Sequence, residues 1–129
     1  MISRILDRLY VGDRRFTSED LAKLDISYVL TVGDNPRPNH YWCPLVDGRG
    51  NDWDDVLKAV NIVQYQLTSG DIMLIHCDEG MSRSPFIVAL YLNKIGMSFK
   101  EATEFVRRRH PPTAINPHLL DLARRNNLF

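Results

Sequence analysis

Hydrophobic residues in this chain of 129 residues occur as short continuous runs separated by stretches with helical spacing. A short apolar run bounded by polar or turn-forming residues is typical of a buried strand, whereas apolar residues every three or four positions line one face of a helix. We therefore predict strands over residues 4–11, 28–32, 41–46 and 72–75.

Five stretches have helical spacing, and their ends carry residues that commonly cap helices. Thr17 and Ser98 each stand three residues before an acidic residue, which is the capping-box pattern. Asn116 followed by Pro117 is typical of a helix start, and the proline pair at positions 111–112 marks the end of the preceding helix. The predicted helices cover residues 17–24, 51–67, 85–95, 98–109 and 116–126.

Strands that alternate with helices along a chain indicate an α/β architecture, because parallel strands need a crossover connection that is usually a helix. We predict a central mixed, partly parallel sheet flanked by helices, with an all-helical arrangement as the second choice. The chain contains no internal repeat, low-complexity tract or linker-like segment. Residues 1–129 are therefore expected to form a single domain.

Composition narrows the class of protein. A hydrophobic content of 44% and a charged content of 25% are ordinary for a globular domain, and the formal net charge of zero gives no overall attraction to nucleic acid or membranes. Two cysteines, Cys43 and Cys77, are too few for a secreted disulfide framework. No signal-peptide core is visible, and no apolar run approaches the ~18 residues of a membrane span. We expect a soluble cytoplasmic or nuclear protein, and a monomer.

The candidate chemistry is concentrated in residues 76–84, between a predicted strand and the helix that follows, where α/β folds place ligand sites. A tight turn between Cys77 and Arg83 can direct successive backbone N–H groups inward, and the following helix adds positive potential. Gly80 permits backbone angles that a β-carbon would forbid. This cradle suits a tetrahedral dianion such as phosphate. The predicted substrate-binding residues are Asp78, Glu79, Gly80, Met81, Ser82 and Arg83.

Each remaining polar residue of this segment has a predicted role. Arg83 can make two parallel hydrogen bonds to phosphate oxygens. The same positive surroundings favour the thiolate of Cys77, which would attack phosphorus and form a phosphocysteine intermediate. Ser84 would donate a hydrogen bond to the sulfur or cap the helix, and His76 would orient the loop through backbone hydrogen bonds. The alternative is an inert, buried Cys77 beside a solvated Arg83.

Phosphate removal by this route needs a general acid that protonates the leaving oxygen. Asp47 is the best candidate, because it follows the predicted strand 41–46 and begins a glycine-containing segment that can close over a substrate. Asp52 is the fallback, although its position favours a helix N-cap.

The residues 76–84 match the signature of the protein tyrosine phosphatase superfamily: His-Cys, five residues, then Arg and Ser or Thr. The longer run 79–85 resembles small atypical members of the dual-specificity branch. That branch places its acid about thirty residues before the cysteine, as Asp47 stands before Cys77, and Asn116 matches a side-chain amide that supports the phosphate loop. The resemblance implies a phosphatase-like sheet, no metal or cofactor, and a shallow pocket for phosphotyrosine, phosphoserine and phosphothreonine in proteins.

Other functions are weighed against this one. A phosphoinositide or an RNA 5′ end is disfavoured because the carboxylates of Asp78 and Glu79 would repel a polyanion. A non-catalytic phosphopeptide-binding module is disfavoured because Cys77, Arg83 and Asp47 are all present. A metal-dependent hydrolase finds little support, since the four histidines lack the short spacing of metal ligands.

Two further features stay open at the level of sequence. Cys43 is by default a buried thiol, with a redox bridge to Cys77 as the alternative. The run of arginines at 107–109 is interpreted as the solvated end of a helix, with steering of acidic substrates as the alternative. Relatives often carry an arginine near the turn where this chain has His110, which argues against a second phosphate site there.

Overall fold

The computed structural model of this protein describes residues 1–126 and 128, and that part contains a five-stranded sheet flanked by helices. In chain order the elements are β1 (Ile2–Leu6), β2 (Leu9–Gly12), α1 (Ser18–Lys23), β3 (Tyr28–Thr31), β4 (Tyr41–Trp42), α2 (Trp53–Thr68), β5 (Met73–His76), α3 (Arg83–Lys94), α4 (Phe99–Arg109) and α5 (Pro117–Arg125).

The sheet is mixed, with the strand order β1-β2-β5-β3-β4. Strands β1 and β2 are antiparallel, whereas β2, β5, β3 and β4 run parallel to one another. The central strand β5 is buried along its whole length between β2 and β3. The predicted mixed, partly parallel sheet is therefore confirmed, and the all-helical alternative is wrong.

Alternation along β5 divides the core between the two faces of the sheet. Met73 and Ile75 belong to the large cluster that includes the buried residues of α2, α3 and α4, whereas Leu74 packs with Phe16 and Val29 on the other face. Successive side chains of a strand point to opposite faces, so a continuous apolar run can serve both clusters. This explains why the sequence shows an unbroken hydrophobic segment here.

Helix α3 is buried around most of its circumference, because it packs against α2, α4 and the strands β2 and β5. Every residue from Arg83 to Leu92 is buried, including two polar residues at the start of the helix. The predicted apolar face of α2 consists of Trp53, Val56, Ala59, Val60, Val63 and Leu67. All of these residues are buried except Trp53, which is half-buried. None of the helices formed by residues 1–126 is long and apolar enough to cross a membrane.

The predicted helix caps are present. Thr17 accepts a hydrogen bond from the N–H of Asp20, and Ser98 accepts one from Glu101, each within a complete capping box. Asn116 caps α5, whose first residue is a proline. These local signals place helix starts correctly because they depend only on residues three or four apart.

Two predicted strands differ from the structure. The prediction of one strand over residues 4–11 is wrong: Asp7 and Arg8 form a turn between β1 and β2, which pair as a hairpin. The predicted strand 41–46 is regular only over its first two residues. Pro44 lacks a backbone N–H, so the segment continues along β3 through single bonds from Cys43 and Leu45 rather than as a ladder.

The contact between α3 and α4 provides a test of the core. Phe86 is fully buried, and its ring meets that of Phe99 edge-on with 6.3 Å between centroids. We expect Phe86→Ala to lower the free energy of unfolding by about 3–5 kcal/mol, because it removes buried area and leaves a cavity. Urea denaturation measures this loss.

The matched control is Tyr65→Ala on α2, because the Tyr65 side chain is 69% exposed. Its effect should stay within about 0.5 kcal/mol. A loss below about 1 kcal/mol for Phe86→Ala would contradict the packing described.

Candidate active site

The parallel register of the sheet brings three loops to one edge. His76, the last residue of β5, lies between Gly12 of β2 and Thr31 of β3. The segments that follow these strands therefore start side by side. One of them, residues 77–83, is called the signature loop here, and it leads directly into α3.

Gly80 lets the signature loop lie against the end of β2. Its φ of 68° falls in the left-handed region that favours glycine. A β-carbon at this position would stand 2.8 Å from the carbonyl carbon of Gly12 and 2.9 Å from the backbone nitrogen of Asp13. A side chain at this position would therefore require a shift of either the loop or β2.

In the signature loop, backbone carbonyl groups are hydrogen-bonded to other segments, whereas the backbone N–H groups of residues 78–82 are not hydrogen-bonded to any described residue. In the part of the chain that the structure describes, the backbone N–H groups of residues 78–82 have no protein acceptor, whereas several carbonyl groups are held by other segments. Consecutive free N–H groups next to a helix N-terminus favour the binding of an anion. The N–H of Arg14 donates to the carbonyl oxygen of Asp78 at 3.2 Å, and the N–H of Ala114 donates to that of Met81 at 2.7 Å. The carbonyl oxygen of Gly80 accepts from Nε2 of His110 at 2.6 Å.

His110 is a contributor that sequence reasoning missed. It is 1% exposed, and its Nε2 must donate to Gly80 because a carbonyl oxygen only accepts. With that proton on Nε2, Nδ1 accepts from the hydroxyl of Ser3 at 2.7 Å. Burial lowers the pKa of His110, which favours this neutral form. In sequence it is only one residue beyond an arginine run, and nothing local reveals its burial.

Cys77 begins the signature loop and is almost fully buried, at 2% exposure. The hydroxyl oxygen of Ser84 lies 3.1 Å from its sulfur. Ser84 is the second residue of α3 and makes no capping bond, and the residue at the N-cap is Ser82. The predicted contact between Ser84 and sulfur is therefore seen, and the alternative capping role is not.

Arg83 is buried rather than solvated. Its Nη1 donates to the carboxylate of Asp34 at 2.6 Å and to the carbonyl oxygen of Leu45 at 3.1 Å. Its Nη2 lies 3.3 Å from a carboxylate oxygen of Asp78. Sequence reasoning missed Asp34, because that residue lies between the predicted strands 28–32 and 41–46 and carries no motif.

Asp47 reaches the signature loop through Ser82, whose hydroxyl donates to the Asp47 carboxylate at 2.6 Å. Ser82 in turn accepts the backbone N–H of Asn116 at 2.8 Å. The Asn116 side-chain amide donates to the carbonyl oxygen of Asp47 at 3.0 Å. The amide expected to support the phosphate loop thus holds the Asp47 backbone, while the Asn116 backbone supports the loop.

The turn that carries Asp47 is closed by Asn51, another residue without a predicted role. Its side chain accepts from the N–H of Val46 at 2.8 Å and donates to the Val46 carbonyl oxygen at 2.7 Å. Asp52, the fallback acid, instead caps α2 by accepting the N–H of Asp54 at 3.0 Å. The geometry therefore brings Asp47, and not Asp52, to the signature loop.

His76 lies beneath the site and is 2% exposed. Its Nε2 pairs with the hydroxyl of Thr31 at 2.8 Å, and its Nδ1 lies 3.4 Å from the carbonyl oxygen of Cys77. Phe16 packs edge-on against the ring with 4.7 Å between centroids. Burial lowers the pKa of His76 to about 4, so the ring is neutral at pH 7. Its main contact links β5 to β3, and its bond to the loop backbone is long.

The acidic residues of the loop are paired with arginines. Glu79 accepts hydrogen bonds from Arg14 at 2.8 Å and Arg15 at 3.4 Å, and these contacts lower the pKa of its carboxyl. Asp78 faces Arg83. The sequence-based expectation that Asp78 and Glu79 repel polyanions did not include these partners. Arg14 and Arg15 follow β2 and are distant in sequence, whereas Arg83 ends the same loop. These ion pairs offset part of the negative charge of the two carboxylates.

Features outside the loop have simpler surroundings. Cys43 is buried, with its sulfur 3.8 Å from the carbonyl oxygen of Asp55, and both cysteines are free thiols.

The arginines 107–109 occupy the exposed last turn of α4, and Arg109 stacks on Phe105. Among residues 1–126 and 128, no group of three or more His, Cys, Asp or Glu could hold a metal ion.

The fold is protein tyrosine phosphatase-like. The crystal structure of human DUSP28 superimposes with a TM-score of 0.86 and covers 96% of this chain and 90% of its own, at 21% sequence identity. Identity at this level establishes the shared fold alone.

The family follows from sequence. The family model for the dual specificity phosphatase catalytic domain matches residues 9–124, and the chain belongs to this family. Dual specificity protein phosphatase 1B of Arabidopsis thaliana is 31% identical over 90% of this chain and 75% of its own length. Dual specificity protein phosphatase 5 of Rattus norvegicus is 32% identical over 87% of this chain. The chain spans only about a third of the length of that relative.

Burial of His76 predicts a pH dependence of stability. The pKa of His76 is about 4 in the fold and 6.5 in the unfolded reference, so the unfolded chain binds more protons between these values. The contribution of the neutral His76 ring to the free energy of unfolding is fully present above about pH 6.5. The free energy of unfolding should fall by on the order of 3 kcal/mol as the pH is lowered to 4. Urea unfolding across this range measures the fall.

The variant His76→Gln should show a shallower pH dependence over the same range, because it removes the titrating ring. The matched control is His118→Gln, at an exposed position in the first turn of α5. An equally steep loss of stability in His76→Gln would show that another group is responsible.

Proposed function

We propose that this protein hydrolyses phosphate monoesters on tyrosine, serine and threonine side chains of proteins through a phosphocysteine intermediate. The observation that carries the proposal is the row of free N–H groups at residues 78–82, placed between the sulfur of Cys77 and the guanidinium of Arg83. Membership of the dual specificity phosphatase family supports it.

In the first step the N–H groups of the signature loop and Arg83 bind the non-bridging oxygens of the phosphoryl group. The Cys77 thiolate attacks phosphorus, so that the S–P bond forms while the bond from phosphorus to the side-chain oxygen breaks. Asp47 gives its proton to the leaving oxygen. One carboxylate oxygen of Asp47 accepts from Ser82, which leaves the other free for this transfer.

In the second step water attacks the phosphorus of the phosphocysteine. Asp47, now ionised, takes a proton from that water, and the S–P bond breaks to release inorganic phosphate and the Cys77 thiolate. Ser84 lies 3.1 Å from the sulfur, and its hydroxyl stabilises the departing thiolate by donating a hydrogen bond. The cycle needs no cofactor.

Dual specificity is supported by the rim of the site. Met81 of the signature loop is 43% exposed and Val46, next to Asp47, is 53% exposed. The unbranched Met81 side chain can adapt to an aromatic ring or to an aliphatic stem, and the exposed Val46 offers further apolar surface to either. A cytoplasmic or nuclear location and a monomeric state are part of the proposal, and the free thiols of Cys43 and Cys77 support a reducing compartment.

A phosphoinositide or RNA 5′ phosphate is the second candidate substrate. It is favoured by one observation: Arg14 and Arg15 stand beside the signature loop and pair with Glu79. These arginines reduce the repulsion that a polyanion would meet. The same phosphocysteine chemistry would apply to such substrates.

Phosphate release from matched phosphotyrosine and phosphothreonine peptides tests the reaction. We expect turnover of both peptides, unaffected by a chelator, and a loss of at least about a thousandfold in Cys77→Ser because the nucleophile is removed. The control variant Cys43→Ser should retain turnover. Release from neither peptide, with activity on a phosphoinositide or a 5′-phosphorylated RNA, would transfer the proposal to the second candidate.

The role of Asp47 is tested by the pH–rate profile. Asp47→Asn should lower turnover by about 10²–10⁴-fold and remove the alkaline limb, because the amide cannot supply a proton. The loss should be larger for phosphothreonine than for phosphotyrosine, since an alkoxide needs protonation more than a phenolate does.

The matched control for this experiment is Asp52→Asn, because asparagine also caps a helix and the start of α2 should be preserved. An unchanged bell-shaped profile in Asp47→Asn would assign the acid role to another group.

A further inference from the structure

The Nη1 group of the Arg83 guanidinium is held by hydrogen bonds to the protein itself. Both hydrogens of Nη1 have partners: the carboxylate of Asp34 at 2.6 Å and the carbonyl oxygen of Leu45 at 3.1 Å. These partners come from two different segments, one directly after β3 and one beside the turn that carries Asp47. Nη1 is therefore fully occupied by the protein.

The opposite edge of the guanidinium is available. Within residues 1–126 and 128, Nε makes no hydrogen bond, and Nη2 has only the ion-pair contact with Asp78 at 3.3 Å. Nε and Nη2 present two parallel N–H groups, which is the fork that binds two oxygens of one phosphate. With Nη1 anchored, Nε is open to one phosphate oxygen, and Nη2 has only its contact with Asp78 to exchange for a second.

Asp34 is itself placed by the signature loop. Its backbone N–H lies 3.3 Å from a carboxylate oxygen of Asp78, the residue after Cys77. That contact needs the glycine before it: a β-carbon on Gly33 would stand 2.4 Å from the same Asp78 oxygen. The position of Asp34 therefore depends on the same loop that Arg83 completes.

Charge supports the contact as well. The hydrogen bond and charge of Arg83 lower the pKa of the Asp34 carboxyl, so the ion pair forms above that lowered pKa and is lost only as pH falls through it. The Asp34 side chain is 67% exposed, while that of Arg83 is 8% exposed. A buried guanidinium requires such partners, because removing a charge from water without them is costly.

We infer that Asp34 is a positioning residue for the phosphate clamp: with the Leu45 carbonyl it anchors Nη1 of Arg83 and directs the Nε–Nη2 edge toward the phosphoryl group. This inference rests on the proposed function. The opposite role is also chemically possible, in which Asp34 competes with phosphate for Arg83. The two roles predict changes of opposite sign in phosphate affinity.

The experiment compares wild type with Asp34→Asn, Asp34→Ala and Asp34→Glu, using turnover of a phosphotyrosine peptide and competitive inhibition by inorganic phosphate. Removal of the charged hydrogen bond should weaken phosphate inhibition and lower kcat/KM by about tenfold or more. Asp34→Glu should recover part of the loss, since it restores the carboxylate. The control is Asp54→Asn, an exposed aspartate in the first turn of α2.

A double-mutant cycle with Arg83→Lys separates positioning from a general structural effect. Lysine has no fork to orient, so Asp34→Asn should cause little further loss of kcat/KM in the Arg83→Lys background. An equal loss in both backgrounds would overturn the inference. Tighter phosphate inhibition in Asp34→Asn, or no change, would also overturn it.

Failure of the proposed function has a different signature. If the wild type releases no phosphate from any peptide while it still binds inorganic phosphate, the proposed reaction fails. The binding of inorganic phosphate to each variant, measured by calorimetry, then tests Asp34 on its own: weaker binding in Asp34→Asn supports positioning, and equal or tighter binding contradicts it.

Discussion

The site depends on a backbone constraint: five consecutive N–H groups at residues 78–82 find no acceptor within residues 1–126 and 128, while three carbonyl groups of the same loop are held by other segments. N–H groups without a protein acceptor stay open to an anion or to water, and contacts from other segments hold the loop in this arrangement. Gly80 allows the loop to lie on the backbone of β2, and His110 and Ala114 fasten its outer side. Arg14 does the same from the end of β2. The N–H groups of residues 78–82 are therefore left to bind an anion.

Charge balance is the second requirement of the site. Arg83 is buried, and its neighbours Asp34 and Asp78 compensate for its removal from water. Glu79 is paired outside the loop with Arg14 and Arg15. These pairs allow carboxylates to stand next to a phosphate site. They also show that the sign of the local potential cannot be read from the residues of the motif alone.

Local sequence patterns were sufficient to predict a structural feature wherever the residues that form it are close in sequence. The capping boxes at Thr17 and Ser98 and the apolar face of α2 appear as predicted. The hairpin of β1 and β2 was missed because the strand predicted over residues 4–11 ran through Asp7 and Arg8, which form the turn. Its detection depends on strand pairing, which sequence spacing does not reveal.

The sequence by itself determined the alternation of strands and helices, the position of the signature loop between β5 and α3, and the spacing of Cys77 and Arg83. These properties are encoded by neighbouring residues, so they need no knowledge of the fold. Only the tertiary structure decided that Asp47, rather than Asp52, meets Ser82, and that Asp34 and His110 take part. These contacts join segments thirty or more residues apart through strand register and loop packing, and no local pattern specifies them.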